Sequence, residues 1–289
     1  MQKDKQLGIV VNYFSREQQG SIRDILVSAT LNSVLFLRQV PEVGTVLVVD
    51  GSKRPDPELK RRCAKAGCEY FHTDQEVGYA EAYNIGWKRL QEPYIGLMAN
   101  DIVPNPPGCV STLLQWLKRP DVGCVFPYLD SPHSRGDEVQ ATGFFSRSEL
   151  SCEPSSMTLN LNLLKRELLE AVGGITEEFR FGFSEPLLLH GIRSLGYRCV
   201  MVGGTRAYHY AELTKVLGAS NLRAQLYEHD QQLWFERYPA LSSAKGIGKI
   251  DMSAMPLSTS RRVRLLWKLS YALPRGRITN KLMRLVMWM

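Results

Sequence analysis

Short apolar runs alternate with longer segments in which apolar residues recur every third or fourth position, a rhythm that opens the chain and persists past residue 120. Gly8-Ile9-Val10-Val11-Asn12-Tyr13 reads as a buried strand. Ser21 to about Gln39 reads as a helix, with Asp24 in its first turn where a carboxylate suits the dipole. Val46 to Val49 predicts a second strand, followed by a turn and a basic helix from Pro57 to Ala66. Glu69-Tyr70-Phe71-His72 is a short third strand, Glu81 to about Leu90 a helix, and Tyr94 to Met98 a fourth strand. Short connections in the order β-α-β-α-β-α-β imply an α/β fold, its mostly parallel central sheet covered by helices on both faces.

The rhythm then changes. Pro106 to Leu117 predicts a helix with proline in its first turn, and Val122 to Pro127 returns to strand character. From Asp130 to Ser156 the chain is polar and rich in serine, glycine and proline, which predicts a long loop or partly ordered insertion. Loops of that length often serve as lids. Asn160 to Val172 reads as strand into helix, ending at Gly173-Gly174. Glu185 to Leu195 reads as a helix stopped by Gly196, Tyr197 to Val202 as a closing strand, and Asn221 to Tyr238 as an amphipathic helix stopped by Pro239. The expected plan is a folded domain over 1–240, a linker over 241–260 and a separate tail over 261–289.

At 44% apolar residues in 289, the chain can bury a substantial core. Its six cysteines (63, 68, 109, 124, 152 and 199) form no CxxC pair and no metal-ligand rhythm. With no cleavable signal pattern at the start, reduced thiols in a cytoplasmic protein are expected. No stretch is apolar for long enough to span a bilayer.

The net charge of +7 changes meaning once it is located. Residues 261–289 hold eight arginines and lysines and no acid, which leaves 28 basic against 29 acidic residues over 1–260. A nearly neutral body excludes a broad nucleic-acid surface. In the tail, cations interleave with Trp267, Leu269, Leu285 and Trp288 in two short helical pieces, Arg261–Leu273 and Ile278–Met289. Such helices lie in the membrane interface and favour anionic lipids, so a peripheral place on the inner face of the cell membrane is expected. Docking on the body or on a partner subunit requires similar faces and stays open.

Candidate chemistry gathers at strand ends, where parallel sheets bind their ligands. The second strand runs into Asp50-Gly51-Ser52, and the fourth into Asn100-Asp101. Asp50 suits hydrogen bonds to a base or ribose, although an ordinary β-turn accounts for the same residues. Asp101 suits Mg²⁺ or Mn²⁺, which take one or two carboxylates plus substrate phosphates; a turn cap is the structural alternative. Between them lies Gly78-Tyr79-Ala80-Glu81-Ala82-Tyr83-Asn84-Ile85-Gly86. Asn84 is a poor helix former inside a helix, which suggests a role in orienting the nucleotide or the metal loop, with helix packing as the alternative. Glu185, at a helix start beside Phe181 and Phe183, suits a general base with a raised pKa. Ser184 suits the N-cap of that helix. His209, between Tyr208 and Tyr210, reads by itself as a core residue. GxGxxG, GxxxxGK[ST] and GxSxG motifs are all absent.

Taken in order, these segments resemble the family 2 glycosyltransferases with a GT-A fold, in particular bacterial rhamnosyltransferase-like members. The resemblance runs over roughly residues 7–210. It rests on Val10-Val11-Asn12-Tyr13-Phe14, Val48-Val49-Asp50-Gly51-Ser52, the Gly78–Gly86 block, Ala99-Asn100-Asp101-Ile102-Val103-Pro104, Gly173-Gly174 to Phe179, Ser184-Glu185, Arg193 to Arg198, and His209. It implies a nucleotide-sugar site containing Tyr13, Asp50, Ser52, Gly78, Asn84 and Asn100. Asp101 and His209 are implied as ligands of Mg²⁺ or Mn²⁺, and Glu185 as catalytic base of an inverting transfer. The donor implied is a UDP- or dTDP-sugar, and the acceptor a glycan or lipid-linked hydroxyl in bacterial surface polysaccharide synthesis. The chain departs from the family pattern at Phe14, Ala99, Ser184, Glu185 and Leu187, so a single acidic ligand would hold metal mainly through the donor diphosphate. A catalytically silent sugar-nucleotide-binding or scaffold protein is the alternative reading. A nucleotidyltransferase would need a glycine-rich basic loop after the first strand, which Asn12 to Arg16 does not supply.

Overall fold

In strand β1 (Leu7–Tyr13) all residues but Asn12 are buried, and the side chains serve two separate cores. Leu7, Ile9, Val11 and Tyr13 face one; Val10 faces the other. Strand β2 (Val43–Asp50) repeats the pattern, with Val46 and Val48 on the first side and Leu47 and Val49 on the second. Strands buried on both faces require helices on both faces, and the chain supplies them. The protein, seen here in a computed structural model, is described over residues 5–15, 21–104, 108–130, 151–153, 157–180, 182–209, 220–242 and 249–250.

Helices α1 (Ser21–Leu37), α2 (Pro57–Ala66) and α4 (Gly108–Leu117) cover the first face; α3 (Tyr79–Arg89), α5 (Arg166–Ala171) and α6 (Ser184–Ser194) cover the second. Helix α2 has its start and stop written into it. Asp56 accepts hydrogen bonds from the Glu58 and Leu59 amides, Pro57 opens the first turn, and Gly67 closes the helix at φ 69°. Helix α3 lies directly on the sheet because Gly86 has no side chain. A Cβ there would fall 2.4 Å from Val10 Cγ1.

The expected parallel sheet forms around β1, which pairs in parallel with β2 and with β4 (Tyr94–Ala99), while β2 pairs with β3 (Glu69–His72). Beyond β4 the sheet becomes mixed. Strand β8 (Leu161–Lys165) runs antiparallel to β4 and to β6 (Val122–Asp130), and β6 is parallel to β9 (Arg198–His209). The short β5 (Ile102–Pro104) pairs with the far end of β9. The closing strand therefore does not stop at Val202. Gly203 and Gly204 (φ 75°) lie opposite a register shift between Phe126 and Tyr128, and the strand bulges there and continues to His209. The partner strands make these adjacent glycines a bulge.

Two expected loops also touch the sheet. Ser151 is buried, and β7 (Cys152–Glu153) pairs with Met201, so the end of the Asp130–Ser156 insertion belongs to the domain. Lys249–Ile250 (β10), within the expected linker, pairs with β7. Residues 131–150 and 154–156 and the basic tail lie outside the described residues. Helix α7 (Ser220–Arg237) and the short α8 (Pro239–Ser242) follow β9. Cys63, Cys68, Cys109, Cys124 and Cys199 are buried free thiols. Among the described residues, no helix is long and apolar enough to cross a membrane.

Candidate active site

At the carboxyl end of β2, Asp50 is fully buried and its carboxylate organises the turn that follows. Oδ1 accepts from the Ser52 amide at 3.0 Å; Oδ2 accepts from the Asp56 amide at 3.1 Å and from the Tyr70 hydroxyl at 2.6 Å. Asp56 extends this network, taking a two-pronged bond from Arg23 (2.7 and 2.6 Å) and one from the Tyr13 hydroxyl at 3.1 Å. Burial alone would raise the Asp56 pKa; the Arg23 fork and the helix amides outweigh it and hold the carboxyl below its ordinary range. Burial, joined by the charge of these carboxylates, pushes the Tyr13 and Tyr70 hydroxyls well above theirs. Ser52 Oγ accepts from the Ser15 amide at 2.8 Å, and the Ser52 carbonyl accepts from His72 Nε2 at 2.8 Å. On its other side the His72 ring meets the Asp74 amide, 3.1 Å from Nδ1. Tyr13, Asp50 and Ser52 thus meet in one network. Its other members, Arg23, Asp56, Tyr70 and His72, escaped the sequence reading. Only Asp56-Pro57 carried a local signal, as a helix start.

Gly78 sits at the N-cap of α3 in extended backbone at φ −71°. A Cβ there would come no nearer than 4.0 Å to another atom, so the space beside it is open. Asn84, one turn into α3, is buried with its amide saturated. Nδ2 donates to the Ile175 carbonyl and to Glu177 Oε1, both at 2.7 Å, and Oδ1 accepts from the Ile175 amide (2.9 Å) and Trp87 Nε1 (3.0 Å). Gly174, at φ 87°, lets this loop close on it, since a Cβ would stand 2.7 Å from Asn84 Oδ1. Asn84 therefore bears on any ligand through the loop that it holds.

The β5–β9 ladder sets Ile102 opposite His209, which brings His209 Nε2 to 3.4 Å from Asp101 Oδ2. Asn100 anchors the approach to this pair. Its Nδ2 donates to Thr30 Oγ1 at 3.3 Å, and its carbonyl accepts from Ser33 Oγ at 3.4 Å. Asp101 is almost enclosed and His209 is about one-fifth exposed. No group of three or more His, Cys, Asp or Glu side chains that could hold a metal occurs among the described residues. A carboxylate oxygen and an imidazole nitrogen fit a divalent ion whose remaining ligands are phosphate and water.

Glu185 lies in the first turn of α6. Ser184 does not cap that helix. Its hydroxyl donates to the Thr176 carbonyl at 2.8 Å, and Phe183, at φ 70°, occupies the cap position without a side-chain bond. Burial pushes the Glu185 pKa up to about 7. Its own amide, the Tyr79 hydroxyl (3.3 Å from Oε2) and the Leu159 amide oppose that rise, and Asp230 adds to it. Tyr83 joins the two halves of the site. Fully enclosed, it donates to the Leu159 carbonyl at 2.9 Å; burial, then the charges of Asp101 and of Glu185, push its hydroxyl well up. One buried tyrosine therefore lies near enough to Asp101 and to Glu185 for both charges to act on it.

Known proteins share this architecture. A mannosyltransferase from Pyrobaculum calidifontis, solved with GDP-Man and Mn²⁺, superposes with a TM-score of 0.55 at 16% identity, covering 98% of this chain and 85% of its own. Glucosyl-3-phosphoglycerate synthase from Mycobacterium tuberculosis, solved with Mn²⁺, UDP and glucosyl-3-phosphoglycerate, gives 0.52 at 16%, covering 81% and 80%. The fold is thus of the GT-A type. In sequence, the O-antigen biosynthesis protein RfbC of Myxococcus xanthus is 24% identical over 215 residues, 67% of this chain. The matched stretch spans only 17% of the length of the curated relatives. Residues 26–172, just over half of the chain, match the family model described as Glycosyl transferase family 2, and to that family this chain belongs.

Proposed function

We propose that the chain is an inverting glycosyltransferase that moves a sugar from a nucleotide-diphosphate donor to a hydroxyl of a glycan or lipid-linked acceptor, in bacterial surface polysaccharide synthesis. One observation carries the reading: the β5–β9 ladder brings His209 Nε2 to 3.4 Å from Asp101 Oδ2, a carboxylate–imidazole pair suited to a divalent ion just past the end of β4. The family match supports it, as do the ligands of the solved neighbours, GDP-Man in one and UDP in the other.

In this mechanism the network of Tyr13, Asp50 and Ser52 shapes the nucleoside end of the site, with Gly78 leaving room beside it and Asn84 and Asn100 holding its walls. Asp101 and His209 would hold Mg²⁺ or Mn²⁺ near the donor diphosphate. Such an ion, when bound, neutralises charge on the leaving group. Glu185 takes the proton from the acceptor hydroxyl as its oxygen bonds to the anomeric carbon, and the bond to the diphosphate breaks on the opposite face. Tyr79 orients the Glu185 carboxylate. A UDP- or dTDP-sugar is the favoured donor.

A thermal-shift screen of UDP-, dTDP- and GDP-sugars with and without Mn²⁺ tests the donor site, because a ligand that binds only the folded state raises Tm. A stabilising donor that is neither hydrolysed nor transferred would point to a silent binding protein. We further propose that the basic tail, 261–289, holds the enzyme peripherally on the inner face of the membrane, beside a lipid-linked acceptor. Full-length protein should bind anionic vesicles and a 1–255 truncation should not; equal binding by both would remove the proposal.

A further inference from the structure

We propose that helix α7 positions the candidate base, with Asp230 as its positioning residue: the Asp230 carboxylate fastens the Gly182–Phe183 turn from which Glu185 projects. The inference rests on the reading of Glu185 as the base. The family match ends at residue 172, so neither Glu185 nor α7 falls within it.

Asp230 is completely buried, and its Oδ2 accepts from the Gly182 amide at 3.1 Å. The next residue, Phe183, adopts φ 70°, a left-handed conformation that a bulky side chain seldom takes and that costs about 1 kcal/mol or more. The surroundings must enforce it, and α7 does so. Tyr227, Asp230 and Trp234 recur at helical spacing on one face, and Tyr238 follows directly after the last turn. The Phe183 ring packs on Trp234 (centroids 5.7 Å apart, 28° between planes) and on Tyr227 (5.4 Å). Phe179 packs on Trp234 and Tyr238, both at 6.2 Å. At the other end of the loop Glu178 accepts from the Tyr238 hydroxyl at 2.9 Å and pairs with Arg237. The segment from Glu178 to Phe183 is thus gripped at both ends by α7 and its final turn. The φ of Phe183 sets the direction in which the chain enters α6, so the place of Glu185 two residues on depends on that grip.

Asp230 also acts through charge. A second carboxylate nearby disfavours ionisation of Glu185, in the same direction as burial. The groups facing Glu185 are the Tyr79 and Tyr83 hydroxyls from α3, the Leu159 amide from the segment before β8, and Asp230 from α7. Asp230 in turn has the exposed His229 ring, with Nδ1 at 3.3 Å from its Oδ1.

The test follows the Glu185 carboxyl itself by carbon-13 NMR in full-length protein labelled at glutamate, the resonance being assigned by its loss in Glu185→Gln. Asp230→Asn keeps an oxygen for the Gly182 amide and removes the charge; the Glu185 midpoint should move down by about half a pH unit or more with Tm nearly kept. Asp230→Ala removes the acceptor as well, and the midpoint should fall toward that of a free glutamate, about 4.3. Once the donor is known, the alanine variant should lose more kcat than the asparagine variant at unchanged donor KM. Should either variant fail to fold, Tyr227→Leu replaces it, at a half-exposed ring, and is expected to lower the midpoint by loosening Phe183. A midpoint unmoved in the folded variants overturns the proposal. The titration needs no turnover, so it stands apart from the base assignment, which fails if Glu185→Gln retains full transfer.

Discussion

Asn84 and Ile175, 91 residues apart, exchange hydrogen bonds as paired strand residues do: the Ile175 amide donates to Asn84 Oδ1 at 2.9 Å, and Asn84 Nδ2 donates to the Ile175 carbonyl at 2.7 Å. A helix side chain thereby stands in for a backbone and fastens the Gly173–Glu177 loop to α3. Replacement by alanine strands a buried amide, a carbonyl and the Trp87 indole N–H. Asn84→Ala should lose about 2–4 kcal/mol of stability, read from the urea midpoint, while the folded protein keeps its donor affinity within a few-fold. Direct contact between Asn84 and the nucleotide would show the reverse pattern.

The raised Glu185 pKa has opposite consequences for catalysis and stability. A base must be ionised, so transfer should climb with pH through about 7. An acid whose pKa is raised by folding contributes its full stability below the unfolded value, near 4.5, and loses it as pH rises toward about 7. That loss is at most about 3–4 kcal/mol. Glu185→Gln should therefore cut transfer by about 10²- to 10⁴-fold, and should match the parent in Tm at pH 4 and exceed it at pH 8. Parallel rate and melting profiles across pH check both halves.

Asp101 and His209 come within 3.4 Å through strand pairing, and they make a joint prediction. Asp101→Asn or His209→Ala should remove the extra Tm that Mn²⁺ adds to donor binding, and leave much of the metal-free donor shift. If both variants keep the full Mn²⁺ increment, the metal sits elsewhere.

Asp56 offers a stability test outside the chemistry. Its folded pKa lies below the ordinary range, so its ionised form stabilises the fold above that range, and the gain is lost as pH falls through the depressed value. Asp56→Asn should cost about 2 kcal/mol at pH 7, a figure discounted for the partial exposure of Arg23. It should also flatten the acid limb of the stability curve, as measured by denaturation between pH 3 and 7.

Elements with a local cause were legible. Helix α2 forms over the expected Pro57 to Ala66, because Asp56-Pro57 and Gly67 are local signals at its two ends. Ser184 misled because its hydroxyl finds the Thr176 carbonyl, eight residues back, in place of its own helix. The strand expected to close at Val202 continues to His209 because a bulge exists only with respect to a partner strand.

The same division holds for the whole protein. Alternating apolar runs, helix starts and glycine stops lie within a few residues of what they control, so the α/β order, the strand-end carboxylates and the family resemblance were determined by the sequence alone. Bonds between distant residues carry no local signature. Only tertiary structure decided that His209 reaches Asp101, that Asn84 holds the Ile175 loop, and that Asp50 is enclosed by Tyr70 and the Asp56 amide. It alone decided that α7 lies against the turn before Glu185, because burial and charge act through space and the chain must fold before they have a value.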